Sequence, residues 1–141
     1  MDDGELRQAM AILDAYNAQM ESLERQVRLL QSTLEETTRA RESLRALTEA
    51  KEGDDILVPI GASSFIQAKV TGKKTALVGI GNRYAVEKEL DDAMSFMDGN
   101  SKEVSETLRR ALSTLEEIEK MATELTMAVQ SEYQMRQESM Q

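Results

Sequence analysis

Starting at Leu6 and stepping alternately by three and four residues, the chain reads Leu6, Ala9, Leu13, Tyr16, Met20, Leu23, Val27, Leu30, Leu34, Thr37, Arg41 and Leu44, and ten of these twelve are apolar. A seam of that period held so long, with Glu, Arg and Gln between its members, specifies a coiled-coil helix rather than a globular one. The pattern returns as Met94, Met97, Ser101, Val104, Leu108, Ala111, Leu115, Ile118, Ala122, Leu125 and Val129, ten of eleven apolar. Asp2, Asp3 and Glu5 suit the positive end of a helix dipole and Gly53 suits the C′ stop, so the first helix is expected from about residue 4 to about 52, roughly 70 Å. The second is expected from about 91 to the high 130s. Asp98-Gly99-Asn100 are poor helix formers, and a bend, or a restart with Asn100 as N-cap and Glu103 as its box partner, would fall there. The seam is in phase on both sides of that tripeptide, so no residue needs to loop out.

Between the two seams the period changes to alternation. Ile56-Leu57-Val58-Pro59-Ile60 and Ser64-Phe65-Ile66-Gln67-Ala68-Lys69-Val70 flank Gly61-Ala62-Ser63, while Ala76-Leu77-Val78-Gly79-Ile80 and Tyr84-Ala85-Val86-Glu87-Lys88 flank Gly81-Asn82-Arg83. This pattern predicts two β-hairpins joined through Thr71-Gly72-Lys73-Lys74. Charge follows the same division: residues 1–52 carry 7 basic and 11 acidic side chains, 53–90 carry 5 and 4, and 91–141 carry 5 and 11. The expected organisation is an N-terminal coiled-coil helix (1–52), a pair of β-hairpins acting as an oligomerisation hub (53–90), and a C-terminal coiled-coil helix (91–141).

Neither seam is stable in water alone. Two helices of matched length around a short β insert can pair as an antiparallel hairpin; the alternative is that each pairs with a copy of itself in a parallel coil. Two hairpins leave strand edges rich in Ile and Val, and such edges are covered either by strands of other subunits, closing a sheet or barrel, or by the chain's own helix roots. The intersubunit arrangement is preferred, with Ile56, Val58, Ile60, Phe65, Ile66, Val70, Leu77, Val78, Ile80 and Val86 as its interface. The fold class is therefore α+β, mainly α: a long antiparallel coiled-coil hairpin with two β-hairpins at its base that assemble into an intersubunit β-barrel.

Composition removes most chemistry. With no Cys and no His there is no disulfide, thiol, Cys/His zinc site or imidazole acid–base group. Gly79-Ile80-Gly81 lacks the third glycine and the following helix of a dinucleotide loop, and reads as a turn. Glu35-Glu36 and Glu116-Glu117 read as solvated helix faces. No enzymatic activity, catalytic residue, metal or cofactor is expected. A net charge of −9 disfavours binding to nucleic acid, and there is no apolar run of membrane-spanning length, so no membrane partner and a cytoplasmic location are expected.

Methionine is the anomaly. Seven of nine, Met1, Met10, Met20, Met121, Met127, Met135 and Met140, lie in the first twenty or last twenty-one residues. An antiparallel hairpin brings those regions together, and apolar residues there spill beyond the seam at Met10, Ile12, Met127 and Ala128. Flexible, polarizable Met surfaces accept apolar partners of varied shape. The plainer reading is that Met1 is only the initiator, Met10 flanks the seam, Met20 belongs to it and the remainder are ordinary substitutions.

The order helix, two hairpins, helix, with Ile56-Leu57-Val58-Pro59-Ile60-Gly61, Ser64 through Val70 and Leu77 through Lys88, closely resembles the prefoldin family in its archaeal alpha-subunit form. Four strands, rather than the two of a beta subunit, point to the alpha type. The resemblance implies an ATP-independent holdase in which two alpha and four beta subunits form a hexamer on a β-barrel platform. Its coiled-coil arms would hold non-native polypeptides at their tips and deliver them to a group II chaperonin. By position it places client binding at Leu6, Met10, Leu13, Met127 and Val129. The alternative is a coiled-coil tether or assembly scaffold indifferent to unfolded chains.

Overall fold

The computed structural model describes residues 1–140. Its order is α1 (Asp3–Glu49), β1 (Asp55–Gly61), β2 (Ser64–Lys69), β3 (Thr75–Gly81), β4 (Tyr84–Glu89) and α2 (Leu90–Ser139). The chain forms two compact units: Met1–Ser32 with the segment from Val104 onward, and Thr33–Glu103. Among the described residues, no helix is long and apolar enough to cross a membrane.

In the first unit α1 packs on α2 in antiparallel sense. Tyr16 meets Met121 while the earlier residue Met10 meets the later residue Tyr133. Leu6, Ala9 and Val129 are buried together, with Leu13 and Leu125 against them. Every predicted seam position of both helices is buried or half-buried, whereas their neighbours are mostly exposed. This is the consequence of placing an apolar side chain every three and four residues: only one stripe of each helix can be withdrawn from water.

Asp2 starts α1, its Oδ1 accepting the Glu5 N–H at 2.7 Å and its carbonyl accepting the Leu6 N–H. The helix ends at Glu49, short of the expected residue 52, and Gly53 is not its C′ residue. Gly53 takes φ +88° and donates its N–H to the Val70 carbonyl, so its conformational freedom serves the entry into the first hairpin. The carbonyls at the end of α1 are met from a distance: the Lys74 ammonium donates to Leu47 O at 2.9 Å and to the O of Ala50, the residue after the helix. α2 runs unbroken through Asp98-Gly99-Asn100, without a restart at Asn100. The Arg41 guanidinium pairs with Asp98 there.

The two hairpins follow one plan, offset by twenty residues. β1 pairs β2 from Asp55↔Lys69 to Gly61↔Ser64, and β3 pairs β4 from Thr75↔Glu89 to Gly81↔Tyr84. Leu-Val-x-Ile-Gly recurs at Leu57–Gly61 and Leu77–Gly81. Each has a register shift between the residue before the isoleucine and the glycine, leaving Ile60 and Ile80 as the extra residues of a bulge. Each then turns through two residues of positive φ, Ala62-Ser63 and Asn82-Arg83, the pattern of a type I′ turn. The repeat is a translation of sequence, register and backbone alike.

Candidate functional site: two apolar surfaces

The hairpins form two separate two-stranded sheets among the described residues, so each strand leaves one edge without a strand partner. Of the ten residues expected at an intersubunit interface, Ile60, Phe65, Ile66, Leu77 and Ile80 are exposed and Ile56, Val58, Val70 and Val86 half-buried. Val78 is the exception. At 3% exposure it is packed with Leu44, Leu90 and Ala93, and with Leu47, Ala76, Met94, Phe96 and Met97 around them. It belongs to the interior of this chain because alternation points it at the helix roots, as the self-covering alternative anticipates for this one face. Leu57, the counterpart of Leu77 under the repeat at twenty residues, is exposed as well.

The second surface lies in the first unit. Leu6 and Val129 are buried in the seam and Leu13 half-buried beside them, so these three expected client-binding residues face their partner helix instead of solvent. Met10 and Met127 differ: they are 45% and 63% exposed. Sequence position alone did not separate the two groups, although seam phase does, since Leu6, Leu13 and Val129 occupy it and Met10 and Met127 do not. Ile12, Met121, Tyr133, Met135 and Met140 add exposed apolar surface.

Two tyrosines link this surface across the helices. The Tyr133 hydroxyl donates to the Met10 sulfur at 3.5 Å, and the Tyr16 hydroxyl to the Met121 sulfur at 3.9 Å. A charged cluster borders it. Arg136 Nη1 lies 2.7 Å from Asp3 Oδ1, its Nε lies 3.1 Å from Glu132, and its Nη2 donates to the Met1 carbonyl. The hydrogen bond from Arg136 holds the Glu132 carboxyl below the usual carboxylate range, the N-terminal ammonium adding to the effect and partial desolvation opposing it. Glu132 and Arg136 continue the α2 seam beyond Val129 at steps of three and four, so the stripe changes from apolar to ionic at this point.

Comparison with known proteins agrees with this architecture. A family description reading "Prefoldin subunit" matches residues 16–135. The prefoldin subunit alpha of Pyrococcus horikoshii is 36% identical over 114 residues, covering 80% of this chain and 77% of its own. Among solved structures, a filamentous PFD from Methanocaldococcus jannaschii aligns with TM-score 0.68 at 23% identity, over 81% of this chain and 94% of that one. The prefoldin beta subunit from Thermococcus strain KS-1 aligns with TM-score 0.59 at 15% identity, over 90% of each. With its two seams, twin hairpins and extended sequence match, the chain belongs to the prefoldin family.

Proposed function

We propose that this chain is a subunit of an ATP-independent holdase, binding non-native polypeptides through the exposed methionine surface of its first unit. The observation that carries the reading is the division of labour between neighbouring residues: Leu6, Ala9 and Val129 close the seam while Met10, Met127 and Met135 remain available to a ligand. Apolar contact of this kind is non-directional and tolerant of sequence, and thioethers adapt to varied shapes. Several such surfaces in one assembly raise the effective concentration for a chain exposing many apolar segments. Folding of the client buries those segments, so release needs no nucleotide.

The open edges and the exposed Leu57, Ile60, Phe65, Leu77 and Ile80 support association through the hairpins with beta-type prefoldin subunits, two alpha to four beta, in the cytoplasm. Delivery to a group II chaperonin completes the proposed cycle.

The test is light scattering of a chemically denatured protein diluted into buffer without nucleotide, with and without this chain and a beta-type partner. Suppression is expected from the parent complex and several-fold less from the combined Met10→Ser, Met127→Ser and Met135→Ser variant at unchanged assembly mass. Equal suppression by that variant would exclude the methionine surface. No suppression by the parent would leave the tether reading.

A further inference from the structure

We infer that Met10 and Met121 are sites of reversible oxidation by peroxide, and that their sulfoxides tighten the hold between α1 and α2 through Tyr133 and Tyr16. Each methionine is partly open to solvent, 45% exposed at Met10 and 42% at Met121, and its sulfur already faces a phenolic hydroxyl on the opposite helix, at 3.5 and 3.9 Å. The chain has no cysteine to consume oxidant first. In the reaction a thioether lone pair attacks one oxygen of hydrogen peroxide. The S–O bond forms as the O–O bond breaks, and the departing hydroxide takes the proton of the transferred oxygen to leave as water. Sulfur loses two electrons and the peroxide gains them; methionine sulfoxide reductases reverse the change with a dithiol as reductant, which becomes a disulfide as the oxygen leaves as water.

A thioether is a weak acceptor and a sulfoxide oxygen a strong one. The spacing between each sulfur and its phenolic oxygen is longer than an O–H···O bond of about 2.7 Å, so an oxygen bonded to sulfur on that side, off the sulfur–hydroxyl line, comes within reach of the hydroxyl. Oxidation elsewhere in proteins commonly loosens packing by placing a polar group among apolar ones. Here the two oxidised positions meet a donor, and because the two pairs cross between helices in opposite senses, α1 Met to α2 Tyr and α1 Tyr to α2 Met, both tie the same two elements. The inference does not depend on whether unfolded chains bind this surface.

Peptide mass spectrometry after graded hydrogen peroxide is expected to show Met140, Met127 and Met135 oxidised first, Met10 and Met121 next, and Met94 and Met97, which pack against the second unit's core, last. Helix melting followed by circular dichroism, read on the full chain at the stage where Met10 and Met121 are oxidised, is expected to stay level or rise for the parent. It is expected to fall by several degrees for the Tyr16→Phe, Tyr133→Phe variant, and reductase treatment should restore both. With no tryptophan in the chain, tyrosine emission in a Tyr84→Phe background reports Tyr16 and Tyr133 directly and should change on oxidation. Equal melting shifts in parent and variant, unchanged emission, or oxidation of Met94 and Met97 ahead of Met10 and Met121 would overturn the inference.

Discussion

The Tyr133 hydroxyl donates to the sulfur of Met10 across 123 positions of sequence. That one contact fixes the sense of the helix pairing in the first unit, because a parallel coil would set Met10 beside residues near the start of a second helix. Leu6 and Val129 are buried in the same cluster. In a chain without native cysteine, the Leu6→Cys, Val129→Cys variant should therefore oxidise to an intrachain disulfide. Its mark is a faster-migrating monomer on a non-reducing gel; disulfide-linked dimers would contradict the pairing.

Leu44 is buried between the helix roots and Val78, whereas Leu29 is 68% exposed. Leu44→Ala should lower unfolding free energy by about 2–4 kcal/mol through lost burial and the remaining cavity. Leu29→Ala should change it by less than about 0.5 kcal/mol. Urea titration of the helical signal distinguishes them.

Ala62 and Ser63 both occupy the left-handed region, at φ 52° and 57°. A side chain with a Cβ pays for that conformation unless it is Asn or Asp, and Gly is free of the cost. Replacing the pair by Asn-Gly should stabilise the first hairpin by about 1 kcal/mol, seen as a higher melting temperature. Replacing it by Gly-Pro should do the opposite, because Pro cannot take the positive φ of position 63.

Phe65 and Val78 were grouped by sequence and are separated by structure. Phe65→Asp changes an exposed position and should weaken association with partner subunits while leaving helix content intact. Val78→Asp buries an unpaired carboxylate among Leu44, Leu90 and Ala93 and should unfold the second unit's core. Sedimentation together with circular dichroism resolves the two effects.

Glu132, Glu87 and Glu42 have carboxyls held below their usual range chiefly by hydrogen bonds from Arg136, Lys73 and Arg45. A carboxylate depressed in the folded state stabilises the fold above its unfolded pKa, about 4.3, and that contribution is lost as pH falls through the lower folded value. With no histidine to titrate, stability should be nearly level between about pH 6 and 8 and decline below about pH 4. Glu42 and Glu87 are exposed and Glu132 half-buried, so the decline should be shallow, and relief of the repulsion within a chain of net charge −9 opposes it. Glu132→Gln should make the acid limb shallower still in thermal melts.

The seams were legible because a 3.5-residue period is a property of sequence spacing alone: Thr37, Arg41 and Ser101 are half-buried despite their polarity, held there by the apolar members around them. The strands were legible for the same reason, through alternation. What alternation cannot say is which face looks inward, so by pattern alone Val78 reads as an interface residue like Leu77, although it packs inside this chain. Gly53 misled because a glycine after a helix commonly ends it, whereas here its backbone joins Val70. The Tyr–Met pairs carry no local signature at all, since each is made only when residues more than a hundred positions apart are brought together.

The Lys74 contacts to Leu47 and Ala50 carry one more consequence. Nothing in Leu47-Thr48-Glu49-Ala50-Lys51-Glu52 halts a helix by its own chemistry, and the cation that receives those carbonyls sits more than twenty positions downstream, at the threshold of β3. The boundary of α1 is therefore set from two sides, nearby by Asp54, whose carboxylate accepts the Lys51 N–H at 2.8 Å, and remotely by a cation from further along the same polypeptide. A nascent chain that has emerged only as far as Glu52 holds neither partner, and the end of its helix is completed only when the later segment arrives.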